Sequence, residues 1–207
     1  MVERLVYTEK AQGSIPCAPI FQIWVLMTGM KKDFCKGNNY AFIDGANLHK
    51  GVSSSNWNLD YRRFRVWLKD KFGITNAYIF IGLIPGKKDL YTSLQEMGYV
   101  LVYKEVTYDG TGRVKGNCDA SLVLTTVSNY YEKKFSAAVI VSSDGDYAEL
   151  IQFLKEKKAL RALVSPSQKC SYLLRKQNIP LVYLQTQKST LERRLQNEKA
   201  PDGDGTP

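Results

Sequence analysis

Residues Ala137–Ile151 read AAVIVSSDGDYAELI, and three signals follow one another in that stretch. Five apolar residues run without polar alternation, as a strand covered on both faces does. A Ser-Ser-Asp-Gly-Asp turn interrupts them, and apolar residues then return at helical spacing. Strand, acidic turn and helix form one half of a βαβ unit, so the expectation is an α/β fold around a mainly parallel sheet. The same unalternated apolar or aromatic character recurs at Tyr40–Ile43, Ala77–Ile81, Tyr99–Tyr103, Arg161–Val164 and Leu181–Leu184.

Between those runs, Tyr61, Phe64, Leu68 and Phe72 lie at helical spacing within Leu59–Phe72, and the pattern stops at Gly73. Leu122, Val123, Thr126, Val127 and Tyr130 form a second stripe. Further helices are expected over Tyr147–Lys157, Cys170–Lys176 and Lys87–Met97, with loops at Gly82–Lys88 and Thr107–Gly116. The organisation expected is an N-terminal extension over residues 1–38, a domain over 39–186 and a polar tail over 187–207.

The chain of 207 residues is 44% hydrophobic and 24% charged, which suits one globular domain and excludes disorder, collagen and coiled coil. Its 29 Lys and Arg against 20 Asp and Glu give a net charge of +9, a bias toward polyanionic partners such as nucleic acid. The apolar run Pro19–Met27 is far short of the roughly 20 residues that span a bilayer and contains Gln22, so no membrane span is expected. As a signal core it is diluted by Glu3 and Glu9, and MKKDFCKGNNYAFID from Met30 reads as a natural start that would make the preceding residues an upstream extension. Cys17, Cys35, Cys118 and Cys170 are widely spaced, and His49 is the one histidine. Zinc fingers are thereby excluded, and free thiols in a reducing, cytoplasmic compartment are expected.

Ligands in open α/β sheets bind beyond the carboxyl ends of the strands. Here those ends carry aspartate. The first strand ends in Asp44-Gly45-Ala46-Asn47, and the Ala137–Val141 strand runs into Ser142-Ser143-Asp144-Gly145-Asp146. Asp119 opens the helix of the second stripe, on its inward face. Each carboxylate also has an ordinary structural use. Asp146 with Glu149 spells a capping box, Asp119 with Asn117 suits a first turn, and Asp44-Gly45 suits a turn. Three segments placing carboxylates at one edge of a basic chain call for more, because unit charges about 4 Å apart repel by roughly 4 kcal/mol at an effective dielectric of 20. A cation relieves that, and oxygen ligands without Cys or His beside them suit Mg²⁺ or Mn²⁺. No G-x-G-x-x-G follows the first strand and no P-loop is present, so no nucleotide cofactor is expected. His49, read as a loop residue beside Lys50, has no nucleophilic serine to serve.

The pieces AFIDGANL (Ala41–Leu48), KGNCDASLV (Lys115–Val123) and SSDGDYAELI (Ser142–Ile151), in this order, resemble the NYN domain family, relatives of the PIN-domain nucleases. The last is close to a consensus of the S-G-D-S-D-F type. The resemblance implies a PIN-like three-layer α/β/α sandwich and a metal-dependent ribonuclease, an endonuclease leaving 5′-phosphate and 3′-hydroxyl ends. It places Asp44, Asp119, Asp144 and Asp146 on the acidic metal-site positions and Asn47 on the amide beside the first of them. Thr125 stands where many members carry a second acidic residue, and Ser143 replaces a glycine.

Whatever the family, metal held by Asp44, Asp119 and Asp144, with Asp146 bound through water or in the outer shell, would activate a water and neutralise phosphate oxygens. Lys50, Lys87, Lys88, Arg113 and Lys115 are the candidate phosphate contacts, since they sit at strand ends or just before Asp119. Asn47, Ser142 and Ser143 complete the substrate-facing set, and Trp57 and Tyr108 are candidates for stacking on bases. Two other readings stay open: a non-catalytic RNA-binding module, favoured by Thr125 and the basic flanks, and a small phosphoester hydrolase, against which Asp44-Gly45-Ala46 lacks an Asp-x-Asp pair. An oligomer is compatible with either.

Overall fold

The computed structural model describes residues 37–84, 86–105, 107–108, 114–115 and 118–193. Six strands form one parallel sheet: β1 (Asn39–Asp44), β2 (Ile74–Leu83), β3 (Tyr99–Glu105), β6 (Ala138–Val141), β7 (Leu160–Ser165) and β8 (Leu181–Tyr183). Their order is β3-β2-β1-β6-β7-β8. All six apolar runs picked out in the sequence are strands. The stretch expected as a loop over Thr107–Gly116 instead contains a small antiparallel pair, β4 (Thr107–Tyr108) and β5 (Val114–Lys115). β2 runs on to Leu83, so Gly82 is strand and not loop.

Side-chain alternation along β1 divides the core in two. Ala41 and Ile43 face one side, where α1 (Gly45–Ser53), α2 (Tyr61–Phe72) and α3 (Lys88–Glu96) bury Leu48, Val52, Phe64, Leu68 and Leu94. Tyr40 and Phe42 face the other, where α4 (Asp119–Tyr131), α5 (Ala148–Glu156) and α6 (Tyr172–Arg175) bury Leu122, Ile151, Leu154 and Leu174. This is the three-layer α/β/α sandwich that the motifs imply. α2 shows how local chemistry sets an element: the Asp60 side chain accepts from the Arg63 N–H at 3.0 Å, and Gly73 ends the helix at φ 68°, where a left-handed residue favours glycine.

Three further sequence expectations are corrected. His49 and Lys50 are helical and not in a loop, because Asp44 caps α1 while Leu48 and Val52, four apart, bury one face of it. Trp57 is 4% exposed and belongs to the core of the first face, so it cannot stack on a base. The folded unit also continues beyond residue 186. A 3₁₀ turn at Leu184–Gln187 leads into α7 (Lys188–Leu191), and Leu191 is fully buried. Its carbonyl accepts from the Asp60 N–H at 2.8 Å, and the Arg193 N–H reaches the Asn58 carbonyl at 2.8 Å. A polar composition masked this anchor, since one leucine among charged residues makes no stripe. Cys118 and Cys170 are free thiols, whereas Cys17 and Cys35 lie outside the described residues. Among the described residues no helix is long and apolar enough to cross a membrane.

Leu191→Ala is expected to cost about 2–5 kcal/mol of unfolding free energy in urea titrations, the usual range for emptying a buried leucine site. A loss within a few tenths of a kcal/mol would mean that α7 is not part of the cooperative unit.

Candidate functional site

Successive strands step outward from β1 to β2 and β3 on one side, and from β6 to β7 and β8 on the other. The direction of winding therefore reverses between β1 and β6, where a crevice opens beyond the carboxyl ends. Asp44 ends β1 on the same face as Tyr40 and Phe42, and it is 6% exposed. Its Oδ1 accepts from the Asn47 N–H at 2.9 Å, making Asp44 the N-cap of α1. Gly45 follows because nothing larger fits: a Cβ there would lie 2.8 Å from the Phe80 carbonyl oxygen.

A residue that the sequence reading passed over joins the two sides of the crevice. Tyr147 is fully buried, and its hydroxyl lies 3.2 Å from Oδ2 of Asp44 and 2.5 Å from Oδ1 of Asp119, the first residue of α4. One hydroxyl proton faces two carboxylate oxygens, so only one carboxylate receives it at a time. Burial pushes the Asp44 carboxyl above its ordinary pKa, the Asn47 N–H pulls it back in part, and the Asp119 charge raises it further. Burial and both carboxylates likewise push the Tyr147 phenol up strongly, which keeps it protonated and donating. Cys118, the residue before α4, shares this setting. Burial raises its thiol and Asp44 adds to the rise, while Lys104 of β3 opposes it. The signal for Tyr147 lay in the motif itself, where the S-G-D-S-D-F consensus ends in Phe and this chain carries a ring with a hydroxyl.

The β6 side of the crevice is tied to the β1 side by a second set of bonds. The Ser143 N–H and Oγ both donate to Asn47 Oδ1 at 2.9 Å, and buried Ser142 accepts from the Asp144 N–H through Oγ at 3.1 Å. Asp144 caps the 3₁₀ turn Gly145–Tyr147, its Oδ1 accepting from the Asp146 N–H at 3.2 Å. The capping residue of this turn is thus Asp144, not Asp146, and Asp146 is exposed. The structure brings Asp44 and Asp119 together on one hydroxyl. It does not gather all four aspartates: among the described residues no group of three or more His, Cys, Asp and Glu is placed to hold a metal ion. Asp144 caps its own turn through Oδ1, as Asp44 caps α1, and Asp146 is exposed. Two oxygen-donor carboxylates still suit Mg²⁺, which keeps several waters and takes one or two carboxylates plus substrate phosphates.

Of the expected phosphate contacts, Lys50 is exposed on α1, and Lys87 and Lys88 are exposed at the start of α3, beyond the carboxyl end of β2. Arg113 and the side chains of Tyr108 and Lys115 lie outside the described residues, as does Asn117. Thr125 is half-buried on α4.

The family model for the NYN domain matches residues 40–180. A solved structure of a protein of unknown function from Vibrio parahaemolyticus superposes with a TM-score of 0.64 at 17% identity, covering 79% of this chain and all of the other, a likeness of fold. No curated protein matches the sequence.

Because the folded carboxyl of Asp44 holds its proton more tightly than the unfolded one, its contribution to stability is complete below the unfolded pKa and is lost as pH rises through the folded value. In chelator, Asp44→Asn, whose amide oxygen can still cap α1, should therefore be more stable than the parent at neutral pH, with the difference shrinking on acidification. Urea midpoints across pH measure this, and a variant less stable at neutral pH contradicts it. Tyr147→Phe should cost about 1–3 kcal/mol, since it removes the hydroxyl that buried Asp44 and half-buried Asp119 both face; an unchanged midpoint would mean the hydroxyl carries no such bond.

Proposed function

The chain belongs to the NYN domain family, and from that premise we propose that it is a Mg²⁺- or Mn²⁺-dependent ribonuclease cleaving RNA phosphodiester bonds endonucleolytically. The observation that carries this reading is the pair of buried Asp44 and half-buried Asp119, held on the Tyr147 hydroxyl at the winding reversal of the sheet. Carboxylates held close to each other, one of them buried, are costly unless a cation joins them, and oxygen donors suit a hard one. Asp44 and Asp119 would hold the ion, with Asp144 at the end of the neighbouring strand and Asp146 beyond it. When bound, the ion lowers the pKa of a coordinated water and neutralises phosphate oxygens.

The protein's own groups do the positioning. The Asn47 N–H fixes one oxygen of Asp44, and the Tyr147 hydroxyl faces the other together with Asp119, so both carboxylates are oriented before any ligand arrives. The Ser143–Asn47 bonds hold the β6 turn against α1 and thereby keep Asp144 at the crevice. Exposed Lys50, Lys87 and Lys88, in a chain of net charge +9, draw the phosphate backbone toward that edge.

Purified protein is expected to cleave end-labelled RNA when Mg²⁺ or Mn²⁺ is supplied and to stop when it is chelated. Asp44→Asn should lose roughly 10²–10³-fold in rate, the size of effect when one preorganised electrostatic group is removed from a reaction centre. No cation-stimulated cleavage, or cleavage indifferent to Asp44→Asn, overturns the reading. A second reading, RNA binding without cleavage, is favoured by Thr125 on α4 and by the lack of a three-carboxylate group among the described residues. RNA binding that survives chelation, with no RNA cut, selects it.

A further inference from the structure

The segment joining β7 to β8 brings an unexpected surface to the same edge of the sheet. Tyr172 is 68% exposed and Leu173 45%, although the residues around them, Cys170 and Leu174, are buried. The pair is therefore held outward by a firm anchor. Its position is also firm: the Ser171 N–H donates to the Ser143 carbonyl at 3.1 Å, and the Ser171 Oγ caps α6 by accepting from the Leu173 N–H at 3.3 Å. A Cβ placed on Gly145 would lie 2.6 Å from Ser171 Oγ and 3.4 Å from Leu173 Cδ1. Ser171 and Leu173 thus lie directly against the glycine between Asp144 and Asp146, and Tyr172 stands between them in the chain.

The segment's own charges have one sign, although the Asp144–Asp146 turn lies against it. Ser165–Pro180 contains Lys169, Arg175 and Lys176 and no carboxylate. All three cations are exposed, and none is in an ion pair among the described residues. Arg175 and Lys176 follow Tyr172 by three and four positions, which places them on the same side of the helical turn. A scattered exposed aromatic needs no explanation. An anchored one in a segment that carries three exposed cations, packed against the turn that holds Asp144, has the make-up of a site for single-stranded nucleic acid, where bases stack on rings and cations track the backbone.

Resting on the ribonuclease reading above, we propose that Tyr172, with Leu173 beside it, is a stacking platform for an unpaired base of the RNA strand, while Lys169, Arg175 and Lys176 hold the flanking phosphates. Every base has a π-face, so the platform is tolerant of sequence. A duplex offers no unpaired base, so it selects single-stranded RNA.

The test is the affinity of the full chain for a labelled single-stranded oligouridine and for an RNA duplex, with divalent cation chelated so that neither is cut. Tyr172→Ala should weaken single-strand binding about 10-fold, within the range for one lost base stack, and leave duplex binding unchanged. Tyr172→Phe and Tyr172→Trp should bind as the parent does. Arg175→Gln with Lys176→Gln should flatten the slope of log affinity against log salt by about 1.4, two phosphate contacts on a single strand. The platform is overturned if Tyr172→Ala binds like the parent, if Tyr172→Phe loses as much as Tyr172→Ala, or if the loss is equal on duplex. A parent protein that neither binds nor cuts RNA sinks the ribonuclease reading and this one together, whereas a parent that cuts RNA with Tyr172→Ala unaffected sinks only the platform.

Discussion

β1 is buried along its whole length, paired on both edges and covered on both faces. Its last residue is nevertheless an aspartate. A carboxylate in that position costs free energy unless its oxygens are bonded, and most of the local architecture meets that demand. α1 turns its Asn47 N–H onto Oδ1, Gly45 lets β2 come close, and Tyr147 arrives from the opposite layer to face Oδ2. Since Asp119 reaches the same hydroxyl, the requirement of one buried charge becomes the geometry of a two-carboxylate crevice.

The three turns at this edge are coupled by the same economy. Asn47 Oδ1 receives both donors of Ser143, and the Ser143 carbonyl in turn receives the Ser171 N–H. The ends of β1 and β6 and the segment after β7 are therefore linked in series by main-chain and short polar groups. Such links are stiffer than contacts between long side chains. The segment that carries Tyr172 is consequently tied to the same edge as the candidate ion-holding pair.

Much of this was legible in the sequence, for identifiable reasons. Strands buried on both faces leave unalternated apolar runs, so all six were visible, and α2 announced both its stripe and its Gly73 stop. α1 was hidden because its signal is a cap, Asp44, read as part of a turn, followed by a stripe of only Leu48 and Val52. Leu191 and Trp57 were misplaced because a lone apolar residue among polar neighbours has no period to reveal it. Tyr147 reads in the sequence only as the start of a helix, and its hydroxyl acquires meaning only when Asp44 and Asp119, both distant in sequence, stand on either side of it.

The sequence by itself determined the α/β class, the strand order along the chain, the family motifs and the identities of the carboxylates, because these depend on patterns within a few residues of one another. Tertiary structure alone decided which carboxylates meet. Asp44 and Asp119 converge on a shared donor, whereas Asp144 caps its own turn and Asp146 is exposed, since orientation at a strand end is set by what packs against it from other layers. The same reason ties the segment that carries Tyr172 to that edge: only the parallel sheet brings the segment after β7 to the side of the turn after β6.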